Sequence, residues 1–347
     1  MDFHQEIISE LKQKEYSARQ LAKLKRDLSQ KYKLKHIPTN IQILLNCSVE
    51  DLNFLKKKLL TKPTRTMSGV APVAIMTKPF PCPHAQTVGP CIMCPGGPKS
   101  EFGDVPQSYT GKEPATMRGI RNKYSAYLQV FNRLQQYLLL GHNCEKVELI
   151  LMGGTFPSFP EEYQEEFVKE AFQAINDFSE KFFANGGFDF LCFKEFFELP
   201  TEDFGNQERA ARLHEKILSL KKDTSLETEQ KKNETAHLRC VALCIETRPD
   251  YGMLKEGNQM LRLGCTRVEL GIQSTDEEVL KLAGRECPFD VIQSAVDKIQ
   301  ATRFRLGLQL MPGLPGDNEQ KFQKSVDNVI NLKPSFVRIY PTLVIKN

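Results

Sequence analysis

The sequence lacks a fourth cysteine beside the three that stand closest together. Cys82, Cys91 and Cys94 form the pattern C-x8-C-x2-C, and the nearest other cysteines are Cys47 and Cys144. A closed structural zinc site needs four ligands, so three thiolates do not complete one. A [4Fe–4S] cluster takes one ligand per iron, so three thiolates would leave one iron open. The pattern therefore indicates either an open cluster or a zinc site with His84 as the fourth ligand.

Two further features are missing, and both concern the cellular compartment. No apolar run reaches the roughly 18 residues of a membrane span, and the amino terminus lacks the charged-then-apolar layout of a signal peptide. The ten cysteines are scattered along the chain and do not resemble a small secreted disulfide framework. These features predict a cytoplasmic protein without a membrane partner.

The positive charge is concentrated at the amino terminus. Residues 1–66 contain 14 Lys or Arg against 7 Asp or Glu, although the whole chain has a net charge of only +4. Such a segment could follow a phosphate backbone, or it could be an ordinary solvated helical face. The candidate nucleic-acid-binding residues in it are Lys23, Lys25, Arg26, Lys31, Lys33 and Lys35.

The hydrophobic pattern predicts two parts. Apolar residues at helical spacing predict a helix over 1–36 and a second helical piece over 40–60. We therefore expect a basic helical segment over 1–61, with the second part beginning at 62.

The second part, 62–347, alternates short β-rich runs with amphipathic helices. Strands are predicted at 70–76, 147–152, 241–246, 267–273, 305–311 and 336–340. Helices are predicted near 114–140, 160–181, 250–263, 276–300 (broken at Cys287-Pro288) and 317–331. Six strands, each followed by a helical crossover, predict an α/β fold with a parallel sheet. Functional residues then belong in the loops after the carboxyl ends of the strands.

Two stretches interrupt this alternation. The loop 77–113 follows the first strand and contains the three cysteines, and loops of that length in a compact domain are usually functional. Residues 183–239 are predicted to be an insertion, a partly helical excursion on the surface with a lysine-rich end.

Polar residues and glycines recur at the predicted strand ends. Gly153, Gly154 and Thr155 follow the second strand, where a ligand could approach the backbone or the chain could simply turn. Glu246 ends the third strand, where it could contact a ligand or form a salt bridge. Gln273 on the fourth strand and Gln309 on the fifth are polar groups predicted to face inward, and such groups need a partner.

Several longer motifs carry a family resemblance. The chain contains CPH followed by CIMCPGGP, then QSYTG, LMGGTF, ETRPD, ELGIQS and MPGLPG in that order. Together they resemble the catalytic subunit of Elongator, a family of radical S-adenosylmethionine tRNA uridine carboxymethyltransferases. The resemblance runs from about residue 62 to the end of the chain.

This resemblance implies a partial (β/α)6 radical-SAM barrel in which Cys82, Cys91 and Cys94 bind a [4Fe–4S] cluster. It implies that Gly153, Gly154, Thr155, Glu246, Gln273 and Gln309 bind S-adenosylmethionine and that Lys146 binds acetyl-CoA. A 5′-deoxyadenosyl radical would activate the acetyl group for addition to C5 of the wobble uridine in a tRNA anticodon loop. Elongator-type partner subunits are also implied.

One departure from the family pattern is expected. The family has an acetyltransferase domain after the barrel, whereas this sequence stops just past the predicted sixth strand, so we expect that domain to be absent. Three alternatives stay open: a radical enzyme with another substrate, a non-catalytic zinc-containing RNA-binding scaffold, and a protein acetyltransferase, which the missing domain disfavours.

Overall fold

The computed structural model describes residues 2–86, 89–183, 186–201 and 205–343. The amino-terminal part consists of four helices: α1 (Phe3–Gln13), α2 (Ala18–Lys31), α3 (Asn40–Leu45) and α4 (Val49–Leu59). They bury Ile7, Leu11, Ile43 and Leu55 against one another. This part of the chain is therefore helical, as the apolar spacing predicts.

The predicted single helix over 1–36 is wrong, because the chain breaks after α1. Lys14 is extended, and the Ser17 hydroxyl accepts a hydrogen bond from the Gln20 amide as the first residue of a capping box. The predicted piece over 40–60 is divided in the same way, since Ser48 caps α4. Capping serines thus divide segments whose apolar periodicity is nearly continuous.

The second part is built on one six-stranded sheet. Its strands are β1 (Ala71–Met76), β2 (Lys146–Met152), β3 (Arg239–Thr247), β4 (Arg267–Gln273), β5 (Arg305–Leu310) and β6 (Phe336–Ile339). All neighbours are parallel and the strand order is 1-2-3-4-5-6, with β1 and β6 at the two edges. The predicted parallel α/β sheet is confirmed, and it is an open, partial barrel.

Helices connect the strands in every crossover. They are α5 (Pro114–Arg121), α6 (Ala126–Leu139), α7 (Glu161–Phe182), α8 (Phe190–Phe196), α9 (Gln207–Leu218), α10 (Leu226–Asn233), α11 (Leu254–Arg262), α12 (Glu277–Leu282), α13 (Phe289–Ala301) and α14 (Glu319–Asn331). The predicted break at Cys287-Pro288 is confirmed between α12 and α13. The helix predicted over 114–140 is two helices, because Lys123 and Tyr124 adopt positive φ and Ser125 caps α6.

The stretch 183–239 contains helices, as predicted, but describing it as a surface excursion is wrong for its first half. Phe190, Phe193 and Phe197 are buried. The rings of Phe193 and Phe197 pack on Phe182 of α7, and the ring of Phe197 also packs on Phe178. Burying large aromatic side chains is strongly favourable, so this part of the stretch belongs to the core. Within the described ranges, no helix is both long and apolar enough to cross a membrane.

Candidate active site at the carboxyl ends of the strands

A cavity of about 480 Å³ opens at the carboxyl ends of the strands. The carboxyl ends of β2 to β6 and the loop after β1 contribute residues to its wall. Parallel strands end at the same edge of a sheet, so residues far apart in sequence meet there. The predicted site residues that line it are Cys82, Cys91, Cys94, Gly153, Gly154, Thr155, Glu246, Gln273 and Gln309.

The three cysteine thiols face this cavity from the loop 77–113. Cys82 Sγ lies 3.6 Å from Thr155 Oγ1, and Cys94 Sγ lies 3.1 Å from Ser108 Oγ. Cys91 is hydrogen-bonded to Cys94, and this bond lowers the pKa of the Cys91 thiol. The loop thus brings three thiols to one wall of the cavity.

Two buried arginines stand beside Cys91. Nη1 of Arg248 lies 3.9 Å from Cys91 Sγ, and Nη1 of Arg285 lies 3.8 Å from the same atom. Arg248 also pairs with Asp250 through Nε at 2.9 Å, and Arg285 donates to the carbonyl of Gly271. The two guanidinium groups lower the pKa of Cys91 further, so Cys91 is favoured as the thiolate, whereas the hydrogen bond to Cys91 and burial raise the pKa of Cys94.

His84, the candidate fourth zinc ligand, also lines the cavity. Its Nε2 lies 2.9 Å from the carbonyl oxygen of Gly284, in the connection between α12 and α13. This contact holds the cysteine loop against that connection. In the parts of the chain that the structure describes, no three His, Cys, Asp or Glu side chains are grouped as a site for one metal ion.

The glycine pair after β2 has a conformation that side chains rarely adopt. Gly153 has φ of +122° and Gly154 has φ of +74°. A Cβ at Gly153 would stand 2.2 Å from Oγ1 of Thr77, whose hydroxyl donates to the Gly153 carbonyl at 3.1 Å. Glycine is required here because the backbone both turns and approaches β1 closely.

The end of β4 carries backbone strain and unpaired polar atoms. Gln273 has φ of +72°, and the register with β5 shifts between Gly271 and Gln273. Such strained residues cluster at ligand sites. Oε1 of Gln273, Oγ1 of Thr247 and Nε of Arg285 are buried without a hydrogen-bond partner among the described residues. Both donors and acceptors are thus available to a polar ligand in this cavity.

Acidic and basic side chains alternate at the side of the cavity formed by β3 to β6. Glu269 is fully buried, accepts from Gln309 Nε2 at 3.2 Å and pairs with Arg338 Nη2 at 2.9 Å. Glu246 is its cross-strand neighbour and lies 4.0 Å from Arg338 Nη1. Burial raises the pKa of Glu246 to about 7, and the charge of Glu269 adds to the rise.

Glu246→Gln is expected to flatten the pH dependence of folding stability. The folded chain holds the Glu246 proton up to about pH 7, whereas the unfolded chain releases it near 4.5, so Glu246 makes stability fall as pH rises through this window. Glutamine cannot ionise. At pH 8 the variant should therefore be more stable than the wild-type chain, with the difference shrinking by pH 4.5.

Urea unfolding of the iron-free chain at pH 4.5, 6 and 8 measures this effect. Glu208→Gln, at an exposed residue in the first turn of α9, is the matched control and should shift stability equally at pH 6 and pH 8. A Glu246→Gln variant that follows the wild-type chain at all three pH values would contradict the assignment.

The structure does not bring every candidate residue to this cavity. Lys146 is the exposed first residue of β2. It therefore lies at the amino-terminal end of that strand, about 20 Å from the cavity at the carboxyl end. It lines a separate cavity with Arg239 and Asn233. The predicted acetyl-CoA contact of Lys146 therefore stays a prediction. The six basic candidates lie on α2 and just after it.

Sequence reasoning missed Arg285 as a site residue. Arg285 follows α12 in the segment Gly284-Arg285-Glu286, which has no recognisable pattern. Ser108 and Tyr109 also line the cavity, and the QSYTG motif that contains them was a signal that could have found them.

The fold and the cavity define a class of enzyme. The family profile described as Radical SAM superfamily matches residues 91–329, and the chain belongs to that superfamily. Membership implies a [4Fe–4S] cluster and S-adenosylmethionine. The cavity fits them, because it offers three thiols, two guanidinium groups at Cys91 and unpaired polar atoms around Gln273.

Closer relatives narrow this class. Residues 1–67 match the profile described as ELP3 N-terminal domain. The chain is 43% identical over 312 residues to a tRNA uridine(34) acetyltransferase of Methanocaldococcus infernus, covering 89% of this chain and 50% of the relative. It is 36% identical over 327 residues to Elongator complex protein 3 of Saccharomyces cerevisiae, covering 92% of this chain and 50% of the relative.

A solved structure agrees with these relatives. The archaeal M. infernus Elp3 with residues 1–46 deleted is 32% identical and superposes with a TM-score of 0.55, covering 80% of this chain and 47% of that one. The resemblance to the catalytic subunit of Elongator is thereby confirmed. The chain spans about half the length of the curated relatives it matches.

Proposed function

We propose that the chain is the radical-generating part of an enzyme that carboxymethylates C5 of the wobble uridine in tRNA. The observation that carries the proposal is that Cys82, Cys91 and Cys94, on the loop after β1, share one cavity with the carboxyl ends of β2 to β6. The relatives named as tRNA uridine(34) acetyltransferases supply the substrate class and the transfer of an acyl group. Acetyl-CoA is proposed as the acyl donor.

When bound, the cluster and S-adenosylmethionine supply a radical that removes a hydrogen atom from the substrate. The chain's own residues hold and orient these groups. Cys82, Cys91 and Cys94 would hold the cluster, and Arg248 and Arg285 balance the negative charge at Cys91. Gly153 and Gly154 have no side chains, so S-adenosylmethionine could approach the backbone closely at these two residues.

The polar atoms around the rest of the cavity would orient S-adenosylmethionine. Gln273 Oε1 and Thr247 Oγ1 are acceptors without partners among the described residues. Glu246 is half-buried beside Arg338, where its carboxylate could accept from the ligand. Satisfying buried polar atoms that lack partners in the free chain favours binding, since each unsatisfied atom is costly.

The amino-terminal helices are proposed to bind the tRNA. Lys23, Arg26, Lys33 and Lys35 are exposed. By contrast, Lys31 pairs with Glu6 at 2.6 Å, and Lys25 donates to Asn40 Oδ1 at 3.1 Å. A lysine already paired with a carboxylate contributes less to neutralising a phosphate. The four exposed residues therefore form the larger part of the proposed RNA contact.

Changing Lys23, Arg26, Lys33 and Lys35 together to Gln is expected to weaken tRNA binding at least about tenfold. It should also lower the slope of log affinity against log salt by roughly 3, close to one for each phosphate that is no longer neutralised. Fluorescence anisotropy with labelled tRNA at several salt concentrations measures both quantities.

Lys31→Gln is the matched single control and should have a smaller effect than Lys33→Gln, because Lys31 is paired with Glu6. Unchanged affinity and salt slope in the fourfold variant would show that α2 and the residues after it are an ordinary solvated surface.

A radical enzyme acting on another substrate is the competing function. S-adenosylmethionine cleavage by the reduced, iron-loaded chain, assayed with and without tRNA, separates the two. The cleavage rate is measured with tRNA, with a DNA duplex and with no nucleic acid. A rate that tRNA raises and the DNA duplex does not supports the proposal, and equal rates in the three mixtures oppose it.

A further inference from the structure

A group of four arginines lies beside β1, away from the cavity. We call Arg118, Arg121, Arg133 and Arg65 the arginine cluster. Arg118 and Arg121 belong to α5 and Arg133 to α6, whereas Arg65 lies in the short helix Pro63–Thr66 that precedes β1. None of them is a candidate site residue of the cavity.

Arg118 is the unusual member of the arginine cluster. Its side chain is only 6% exposed, and its Nε and Nη1 atoms are buried without a hydrogen-bond partner among the described residues. Burial lowers the pKa of Arg118 to about 10, and the like charges of Arg133, Arg121 and Arg65 lower it further. A buried cation without a partner is strongly unfavourable, so the free chain is incomplete at this point.

A phosphate group would provide the hydrogen-bond acceptors and the negative charge that Arg118 lacks. A guanidinium donates two parallel hydrogen bonds to phosphate oxygens, and these charge-assisted bonds are stronger than neutral ones. One anion between the arginines would supply both an acceptor for Arg118 and a countercharge for its neighbours. Arg65 and Arg121 are exposed, whereas Arg133 already donates to Tyr137 Oη at 2.8 Å.

The location favours a phosphate of a polynucleotide over a free one. The helix that contains Arg65 links the basic amino-terminal helices to the barrel. His142 fixes this link, because its Nδ1 lies 2.8 Å from Thr66 Oγ1 and its Nε2 lies 2.9 Å from the Thr61 carbonyl. A single RNA strand could therefore contact both the amino-terminal helices and the arginine cluster.

We propose that the arginine cluster binds a phosphate group of the tRNA backbone, with Arg118 as its buried anchor. This inference rests on the proposed function, since it takes tRNA as the ligand. A backbone contact of this kind positions the RNA without reading its sequence. Arg118 is accordingly a binding residue whose loss affects all tRNAs alike.

The test compares tRNA affinity at several salt concentrations for the wild-type chain, Arg118→Met and Arg121→Gln. Arg118→Met should weaken binding about tenfold, the weight of a charge-assisted hydrogen bond, and reduce the salt slope by about 1. Arg121→Gln should act in the same direction without altering any buried group. Arg262→Gln, which changes an exposed arginine on α11 that pairs with Glu165, is the control and should leave the salt slope unchanged.

Thermal unfolding without RNA supplies a second readout. Arg118→Met should raise Tm, because it removes an unpaired buried charge while keeping much of the side-chain volume. Adding tRNA should then raise the Tm of the wild-type chain more than that of the variant. If Arg118 served only to stabilise the fold, Arg118→Met would have a lower Tm than the wild-type chain and would bind tRNA with the same affinity.

Three outcomes would overturn the inference. The first is an Arg118→Met variant with wild-type affinity and salt slope for tRNA. The second is a result in which inorganic phosphate stabilises the wild-type chain but not Arg118→Met, and both chains bind tRNA with equal affinity. That result would assign the site to a free anion. The third is a wild-type chain that binds no tRNA at all, which would overturn the proposed function as well; the first two would leave that function intact.

Discussion

Cys91→Ala is expected to abolish cluster assembly and, with it, S-adenosylmethionine cleavage. The substitution removes one of three thiols that face the cavity, and it leaves Arg248 and Arg285 without the sulfur that both contact. Loss of an outer contact at a metal site typically costs 10- to 100-fold, so loss of a ligand should cost at least about 100-fold in activity. Cys82→Ala and Cys94→Ala should behave in the same way.

Iron per chain after anaerobic loading, together with the yield of 5′-deoxyadenosine, measures this effect. Cys192→Ala is the matched control, because Cys192 is a free, half-buried cysteine on α8 that lies outside the cavity wall. It should retain wild-type iron and activity. Full iron content and cleavage in Cys91→Ala would rule out Cys91 as a ligand.

Gly153→Ala is expected to destabilise the chain and to weaken S-adenosylmethionine binding. A Cβ would stand 2.2 Å from Thr77 Oγ1, and the φ of +122° is unfavourable for alanine. The backbone strain alone costs about 1–3 kcal/mol, and relieving the clash must move the ends of β1 and β2. That movement displaces the cavity wall, so affinity should fall by about tenfold or more.

Urea unfolding and calorimetric titration of S-adenosylmethionine into the iron-loaded chain measure the two effects. Gly187→Ala is the matched control, because no atom lies within 4 Å of a Cβ there and its φ is not positive. Its stability should change by less than about 0.5 kcal/mol. If Gly153→Ala also proves neutral in both measurements, the close approach of backbone and ligand at β2 is not required.

The sequence predicted the strands well because their apolar runs are short and bounded. The run from Val147 to Met152 is largely apolar, as expected of a strand covered by helices, and it lies within β2. The position of the site followed from the same pattern, since strand ends of a parallel sheet converge. Nine predicted site residues accordingly line one cavity.

Other features depended on contacts that no local pattern contains. Arg285 reaches Cys91 from 194 positions away in the chain. Phe193 of α8 and Phe197 just after it join the core because α7 presents Phe182 and Phe178 to them. Helix breaks at Ser17 and Ser125 were missed because apolar periodicity continues past them, whereas the backbone hydrogen bonds end there. Capping side chains therefore set helix boundaries that the hydrophobic pattern alone does not predict.

The central claim is that the three cysteines hold a redox-active cluster that cleaves S-adenosylmethionine. Anaerobic loading of the wild-type chain with iron and sulfide, followed by reduction in the presence of S-adenosylmethionine, tests it most directly. We predict about four irons per chain, as in a [4Fe–4S] cluster, with formation of 5′-deoxyadenosine and methionine. Stoichiometric zinc that resists replacement, with no iron uptake and no cleavage, would contradict the account.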